Sequence, residues 1–228
     1  MISNSAQDYL KVIYELQKGH VPVPSVNTSL VAEKMGVAAA SATNMVKKLA
    51  EMHLVEHKPY QGVVLTVLGE KVALEIIRHH RLLELYLTEN LGFRWDQVDE
   101  EAERLEHVIS EEFEDRIDEA LGFPTSDPHG SPIPTKEGGV TEGDYQLLSN
   151  IKVGQKACIQ EVNDRDPEML RYMASLGLKP EVYLVVMERA PFNGPIVIKI
   201  IGEKEQILGQ EVADQIYVVP IEGPKGTN

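Results

Sequence analysis

In the stretch EEAERLEHV, residues 100–108, Glu103, Glu106 and His107 stand at i, i+3 and i+4. In a helix that spacing sets three side chains on one face. Two carboxylates so placed repel each other; a divalent cation would turn the repulsion into binding, with the imidazole as third ligand. A solvated acidic helix face carrying one incidental histidine has the same spacing. Further residues of ligand type are scattered along the chain. His80 and Glu84 are at i, i+4 in HHRLLE, Asp8 falls early in DYLKVIYEL, Asp127 and His129 sit in SDPHGSPIP, and Asp164 belongs to EVNDRDPEM. Each has an ordinary alternative: a surface hydrogen bond, a helix-dipole contact, a polar linker, a solvated turn. Catalytic signatures are missing. There is no HExxH, GxSxG, Walker A loop or Rossmann glycine pattern. Glu-x-x-Glu-His occurs once, without the second Glu-x-x-His that a carboxylate-bridged di-metal enzyme would carry. The chain does not read as an enzyme.

The elements that must position these residues can be read from periodicity. Residues 8–18 have the wide apolar face of a helix. After a Pro-containing break, SLVAEKMG reads as a short helix stopped by Gly36, and VAAASATNMVKKLAEMHL as a second helix after a tight turn. HLVEHKPYQGVVLTVLGE then gives strand, turn and strand. Helix, helix, turn, helix and hairpin make a winged helix-turn-helix pattern. In its second helix Ser41, Thr43 and Asn44 could read base edges and Lys47 and Lys48 could neutralise phosphate, with Tyr60 at the wing tip KPYQG as a further DNA contact. A long helix follows from Thr66 to Asn90, and a second helical stretch covers 96–122, with a possible break near Ser110. Residues 122–143, rich in Pro, Gly, Ser and Thr, read as a linker. From Leu147 the texture changes to short alternating strands around one short helix ending at Gly177, a small β-barrel. The expected architecture is α+β and multidomain: a winged helix-turn-helix over residues 1–70, a helical metal-binding and dimerisation domain over 71–123, a linker over 124–146 and an SH3-like β-barrel over 147–222.

The 228 residues carry a net charge of −14, which at first argues against nucleic acid. The charge is uneven. Residues 1–70 are neutral, with six basic and six acidic side chains, whereas residues 71–123 hold six against fifteen. The acidity surrounds EEAERLEHV and leaves the N-terminal part able to approach DNA. A single cysteine, Cys158, excludes an internal disulfide and fits a reducing cytoplasm. No apolar run reaches the ~20 residues of a membrane helix, and the N-terminus has no signal-peptide pattern.

Taken together, DYLKVIYEL, the winged helix, HHRLLE, VDEEAERLEHVISEE, PHGSPIP and LRYMASLGLKPEV resemble the diphtheria toxin repressor family of metal-dependent transcriptional regulators. The resemblance covers nearly the whole chain. It is nearest to the manganese-responsive branch that carries a C-terminal FeoA-type, SH3-like domain. It implies one metal held at the positions of Asp8, Glu103, Glu106 and His107, with Asp8 facing the two glutamates. It implies a second metal at His80, Glu84 and Asp99, drawing also on His129, with Asp127 beside it, and on Asp164. Iron-responsive members place Met and Cys where this chain has Asp8 and Glu103; hard oxygen in place of sulfur suits Mn(II), although Fe(II) also accepts such ligands. Asp99 stands where the iron branch has a His, and Lys11 where some short manganese regulators have a metal-binding Glu. The implied function is a metal-dependent regulator, with Mn(II) as cofactor, that binds pseudo-palindromic operator DNA as a homodimer and represses metal uptake genes, with no membrane partner. Two alternatives stay open: an Fe(II)-responsive repressor of the same family, and a winged-helix regulator answering a small organic ligand, its acids forming a solvated surface.

Overall fold

The structure, a computed structural model, describes residues 2–20, 22–58, 61–141 and 143–221. The chain divides into two compact units. The first comprises Met1–His80, Leu105–Ser110 and Pro134–Val140; the second comprises Arg81–Arg104, Glu111–Ile133 and Thr141–Asn228.

The first unit begins with α1 (Asn4–Lys18), whose Ala6, Tyr9, Leu10 and Ile13 recur at helical spacing and are buried. They pack against α2 (Thr28–Lys34), α3 (Ala39–Glu51) and the hairpin of β1 (Val55–Lys58) and β2 (Gly62–Leu65). Asn27 caps α2, its side chain accepting a hydrogen bond from the Ser29 N–H at 2.8 Å. In α3, Ala42, Val46 and Leu49 face the core, so Ser41, Asn44, Lys47 and Lys48 are left outward. β1 and β2 pair antiparallel from Val55↔Leu65 to Lys58↔Gly62, and Val26 bridges Val63 on the other side. Gly62 lies at φ +93° with the Val26 carbonyl 2.6 Å from where a Cβ would stand, so this close approach requires glycine. These elements make the winged helix-turn-helix anticipated above. Tyr60, at the wing tip, lies outside the described residues.

The helix α4 (Val67–Leu91) contributes residues to both units, and α5 (Val98–Leu105) and α6 (Glu111–Ala120) follow. The break anticipated near Ser110 is present, between Leu105 and Glu111, but it opens early enough to correct the placing of Glu103, Glu106 and His107 on one helical face. Helix α5 stops at Leu105, so Glu106 and His107 lie in a turn rather than on a helical face with Glu103. The Val108 N–H bonds back to Leu105 across three residues, and the Glu106 carbonyl, which a continuing helix would have used, lies 3.0 Å from Nδ1 of His79.

In the second unit the polar segment around Asp127 is not a loose linker. Asp127, His129, Gly130, Ser131 and Ile133 are buried. The carboxyl Oδ1 of Asp127 accepts from the His129 and Ser131 N–H groups at 2.8 and 3.0 Å, the Asp127 N–H donates to the Ser131 carbonyl, and the Val162 N–H donates to the His129 carbonyl. The C-terminal sheet comprises β3 (Gln146–Leu147), β4 (Lys156–Val162), β5 (Tyr183–Arg189), β6 (Ile196–Ile200), β7 (Glu205–Leu208) and β8 (Ile216–Ile221), with α7 (Pro167–Ser175) inserted. Its order is β3-β8-β4-β5-β6-β7, with every pair antiparallel. The expected closed barrel is not formed by strand pairing: among the described residues β3 and β7 are edges with no ladder between them. Irregularities at Ile159/Glu161 and Val186/Glu188 bend the sheet over its core instead. That core holds Ile159, Leu170, Met173, Val186, Ile198 and Val218. Cys158 is a buried thiol in β4, outside the clusters of ligand-type residues found among the described residues. No helix among the described residues is long and apolar enough to cross a membrane.

Candidate metal centres

The first centre lies in the first unit. Asp8, Glu106 and His107 each offer a ligand atom within 4.8 Å of the others. Helix α1 presents Asp8 on a face away from Leu10 and Ile13, and the turn after α5 presents Glu106 and His107. Nε2 of His107 is 2.7 Å from Oδ1 of Asp8 and 3.5 Å from Oε1 of Glu106. The ring's Nδ1 is 2.9 Å from Oε1 of Gln7 and donates to it. That bond assigns one ring proton and leaves Nε2 directed at two carboxylates. A ligand histidine whose other nitrogen is tied to an oxygen is the arrangement by which proteins orient imidazole toward a cation.

Glu106 is fully buried, at 0% exposure, and its carboxylate has a second side. Lys11, one turn after Asp8 on α1, places Nζ 3.1 and 2.8 Å from Oε1 and Oε2. Nδ1 of His80 lies 2.6 Å from Oε2. Burial pushes the Glu106 carboxyl up, but the His80 hydrogen bond and the Lys11 charge pull it further down, and it is held below the usual carboxylate range. The expectation that Asp8 simply faces two repelling acids therefore does not describe this turn: Asp8 is paired with His107, and Glu106 with Lys11 and His80. Glu103 lies exposed on α5, four residues after Asp99, which is also exposed.

The second centre lies within the second unit. Glu84 of α4 and Asp127 and His129 of the buried loop bring ligand atoms within 4.8 Å of one another, and all three residues are buried. Nε2 of His129 donates to the Trp95 carbonyl at 2.8 Å, and the two rings stack with centroids 5.6 Å apart. Its Nδ1, 3.6 Å from Oε1 of Glu84, makes no hydrogen bond. Asp127 spends Oδ1 on the loop backbone and turns Oδ2 toward the site, with Nε of Arg81 3.6 Å away. Burial, then the Glu84 charge, pushes the Asp127 carboxyl up to about 7, against the pull of Arg81 and His129. Burial pushes the His129 imidazole down, but Glu84, Asp127 and Asp164 push it up by more. Asp164 acts on the pair through its charge; with Asp99 and Trp95 it lines an adjoining cavity of about 360 Å³.

A divalent metal fits both centres. Each combines carboxylates with an imidazole that has one nitrogen tied to an oxygen and the other directed at the acids. In the second, two carboxylates are buried at a cost of several kcal/mol per charge unless a cation or proton compensates. The donors are oxygen and nitrogen only, a set suited to Mn, Fe or Zn. Of the residues expected at the second metal, Glu84, Asp127 and His129 converge. His80 bonds to Glu106, and Asp164 and Asp99 line the cavity. Of the residues expected to meet DNA from α3, Ser41, Asn44, Lys47 and Lys48 are exposed, whereas Thr43 is half-buried and donates its hydroxyl to the Ala39 carbonyl. Sequence reasoning did not find Gln7, His79, Trp95 and Arg81. Only Gln7, adjacent to Asp8, carried a local signal; the others act through backbone groups or charges remote in sequence.

Three family profiles match the chain in succession. Residues 1–63 match the N-terminal DNA-binding domain of iron-dependent repressors, residues 66–135 their metal-binding and dimerisation domain, and residues 146–220 the FeoA domain. The diphtheria toxin repressor of Corynebacterium efficiens is 34% identical, over 96% of this chain and 97% of its own length. The chain belongs to the diphtheria toxin repressor family. Among solved structures, a manganese-dependent transcriptional repressor in complex with manganese is 41% identical, covers 95% of this chain and 100% of that one, and superposes with a TM-score of 0.88. ScaR with bound Zn²⁺ is 32% identical over 95% of this chain and 99% of that one, with a TM-score of 0.77. As a family member the chain is a metal-dependent, DNA-binding transcriptional repressor rather than a catalyst. It has a divalent-metal-binding and dimerisation domain between its DNA-binding and FeoA domains.

Proposed function

We propose that this repressor answers Mn(II), that it binds a pseudo-palindromic operator as a homodimer when loaded, and that it silences metal uptake genes. The observation that carries the proposal is the donor chemistry of the two trios. Asp8, Glu106 and His107, and Glu84, Asp127 and His129, offer hard oxygen and imidazole with no sulfur. A repressor complex with manganese at 41% identity supports the same metal. Glu103, Asp99 and Asp164 remain proposed contributors by the family resemblance, and Asp164 adds its charge at Asp127 and His129.

The bound ion would supply positive charge that neutralises the acids and ties α1 to the turn after α5. The rest is done by the chain's own residues. Asp8 sits on the helix whose Tyr9, Leu10 and Ile13 pack into the core shared with α3, so a force on Asp8 is transmitted to the DNA-reading helix through packed side chains. Ser41 and Asn44 would meet base edges, and Lys47, Lys48 and the wing around Tyr60 the backbone. Turning the population from 1:99 to 99:1 takes about 5.5 kcal/mol of differential binding. Equilibrium dialysis with Mn(II) and with anaerobic Fe(II), followed by operator binding, tests the proposal. Mn(II) should bind in stoichiometric amounts and switch DNA binding on; a response to Fe(II) alone would assign the chain to iron. Absence of tight metal binding would favour a small organic effector.

A further inference from the structure

The Glu106 carboxylate has ligand-type or charged groups on two sides. On one side its carboxylate faces Nε2 of His107 and, beyond it, Asp8. On the other it faces Nζ of Lys11, bound to both carboxylate oxygens at 3.1 and 2.8 Å and standing 3.2 Å from Nδ1 of His80. Both carboxylate oxygens and an imidazole nitrogen around one cation form a set that a divalent ion would also accept. Paired ions can be held by one shared carboxylate, and Glu106 has Oε1 3.5 Å from Nε2 of His107 and 3.1 Å from Nζ of Lys11. The Lys11 side chain is 11% exposed and that of Glu106 is 0%, so the ammonium lies inside the cluster rather than on its rim.

We propose that Lys11 is a tethered cation that holds the second position beside Glu106 and closes the first centre to a second metal ion. The inference rests on the reading of Asp8, Glu106 and His107 as a metal site. A lysine is suited to the task because its charge cannot dissociate from the protein. It matches a buried carboxylate without coordinating metal, and it leaves the Asp8–His107 side open. The centre then responds to one ion, and its occupancy follows concentration without cooperativity from a neighbour.

The test uses the full-length protein with Mn(II), read by equilibrium dialysis and by electron paramagnetic resonance. Wild type should bind ions that give only isolated Mn(II) spectra. Lys11→Glu should bind one more ion per chain and show the halved hyperfine spacing of an exchange-coupled pair, both lost again when Glu106→Gln is added. If wild type already shows a coupled pair, or folded Lys11→Glu binds no extra ion, the inference is overturned. Should Lys11→Glu fail to fold, Lys11→Met decides. Its melting temperature without metal should fall below that of wild type, and saturating Mn(II) should recover the loss. A loss that Mn(II) leaves in place would make Lys11 a structural ion-pair partner only and overturn the inference. The underlying reading is checked separately. Glu106→Gln in the wild-type background should remove one bound ion; an unchanged count would reject the metal site itself, and the inference with it.

Discussion

Asp8 and Glu106 are both proposed ligands of one ion, yet their truncation should have different costs. Glu106 is 0% exposed and paired with Lys11, whose side chain is 11% exposed. Removing one partner of such a buried pair strands the other and costs about 3–5 kcal/mol; because Lys11 retains some access to water, Glu106→Ala belongs near the lower end, ~3 kcal/mol. For a chain of this size that corresponds to a melting temperature lower by roughly 6–12 °C. The Asp8 side chain is 27% exposed and that of its partner His107 7%, a partly buried contact that stays open to solvent on the Asp8 side, worth about 1 kcal/mol, the upper end for exposed pairs. Asp8→Ala should therefore melt within roughly 4 °C of wild type. Both variants should lose Mn(II)-dependent operator binding. Thermal melts in chelator and fluorescence anisotropy on operator DNA with and without Mn(II) read the two effects on the same samples. Should Glu106→Ala cost less than ~1 kcal/mol, the buried pairing around Lys11 is wrong; an Asp8→Ala protein with full metal dependence would remove α1 from the switch.

The second centre gives a pH dependence with a definite sign. Asp127 is pushed up to about 7 from 3.8, and His129 is raised above 6.5, so the folded chain holds both protons more tightly than the unfolded one. Their contribution to stability is present at low pH and is lost as pH rises, through about 7 for Asp127. In chelator, urea midpoints should fall between pH 5 and 7.5 more steeply for wild type than for Asp127→Asn, and saturating Mn(II) should flatten the slope; equal slopes would contradict the assignment. Gly130, beside His129, lies at φ +90° with the Gln160 carbonyl 1.8 Å from where a Cβ would stand. Gly130→Ala should displace the loop and abolish the quenching of the sole tryptophan, Trp95, that Mn(II) at His129 is expected to cause; a titration of fluorescence checks it. Lys47→Ala and Lys48→Ala should each weaken operator binding about equally across sequences and reduce the salt slope by about 1, measured by anisotropy from low to high salt.

The winged helix was legible in sequence because its signals are local. Ala6, Tyr9, Leu10 and Ile13 repeat at helical spacing, Gly36 stops α2, and Ala42, Val46 and Leu49 leave the polar face of α3 outward. Most of the candidate ligands were also in view, and the resemblance already set Asp8 with Glu106 and His107, and Glu84 with Asp127 and His129; residue spacing alone did not. A break near Ser110 was legible, but not its start at Leu105, where the freed Glu106 carbonyl lies beside Nδ1 of His79, 27 residues away. His80 reads as a partner for Glu84 at i, i+4, yet its Nδ1 goes to Glu106. The segment around Asp127 has the composition of a linker and is ordered by hydrogen bonds to Trp95 and Val162 that sequence spacing cannot reveal. Alternating strands suggested closure of the C-terminal sheet, and alternation does not encode which edges pair.

Selection of genomic DNA fragments on the purified repressor, with Mn(II) and in parallel with chelator, tests the central claim most directly. Enrichment of a pseudo-palindromic sequence near transporter genes only with Mn(II), and its loss in His107→Ala, is the result expected. Equal enrichment in both conditions would contradict a metal switch at these centres, and enrichment with anaerobic Fe(II) alone would contradict manganese as its metal.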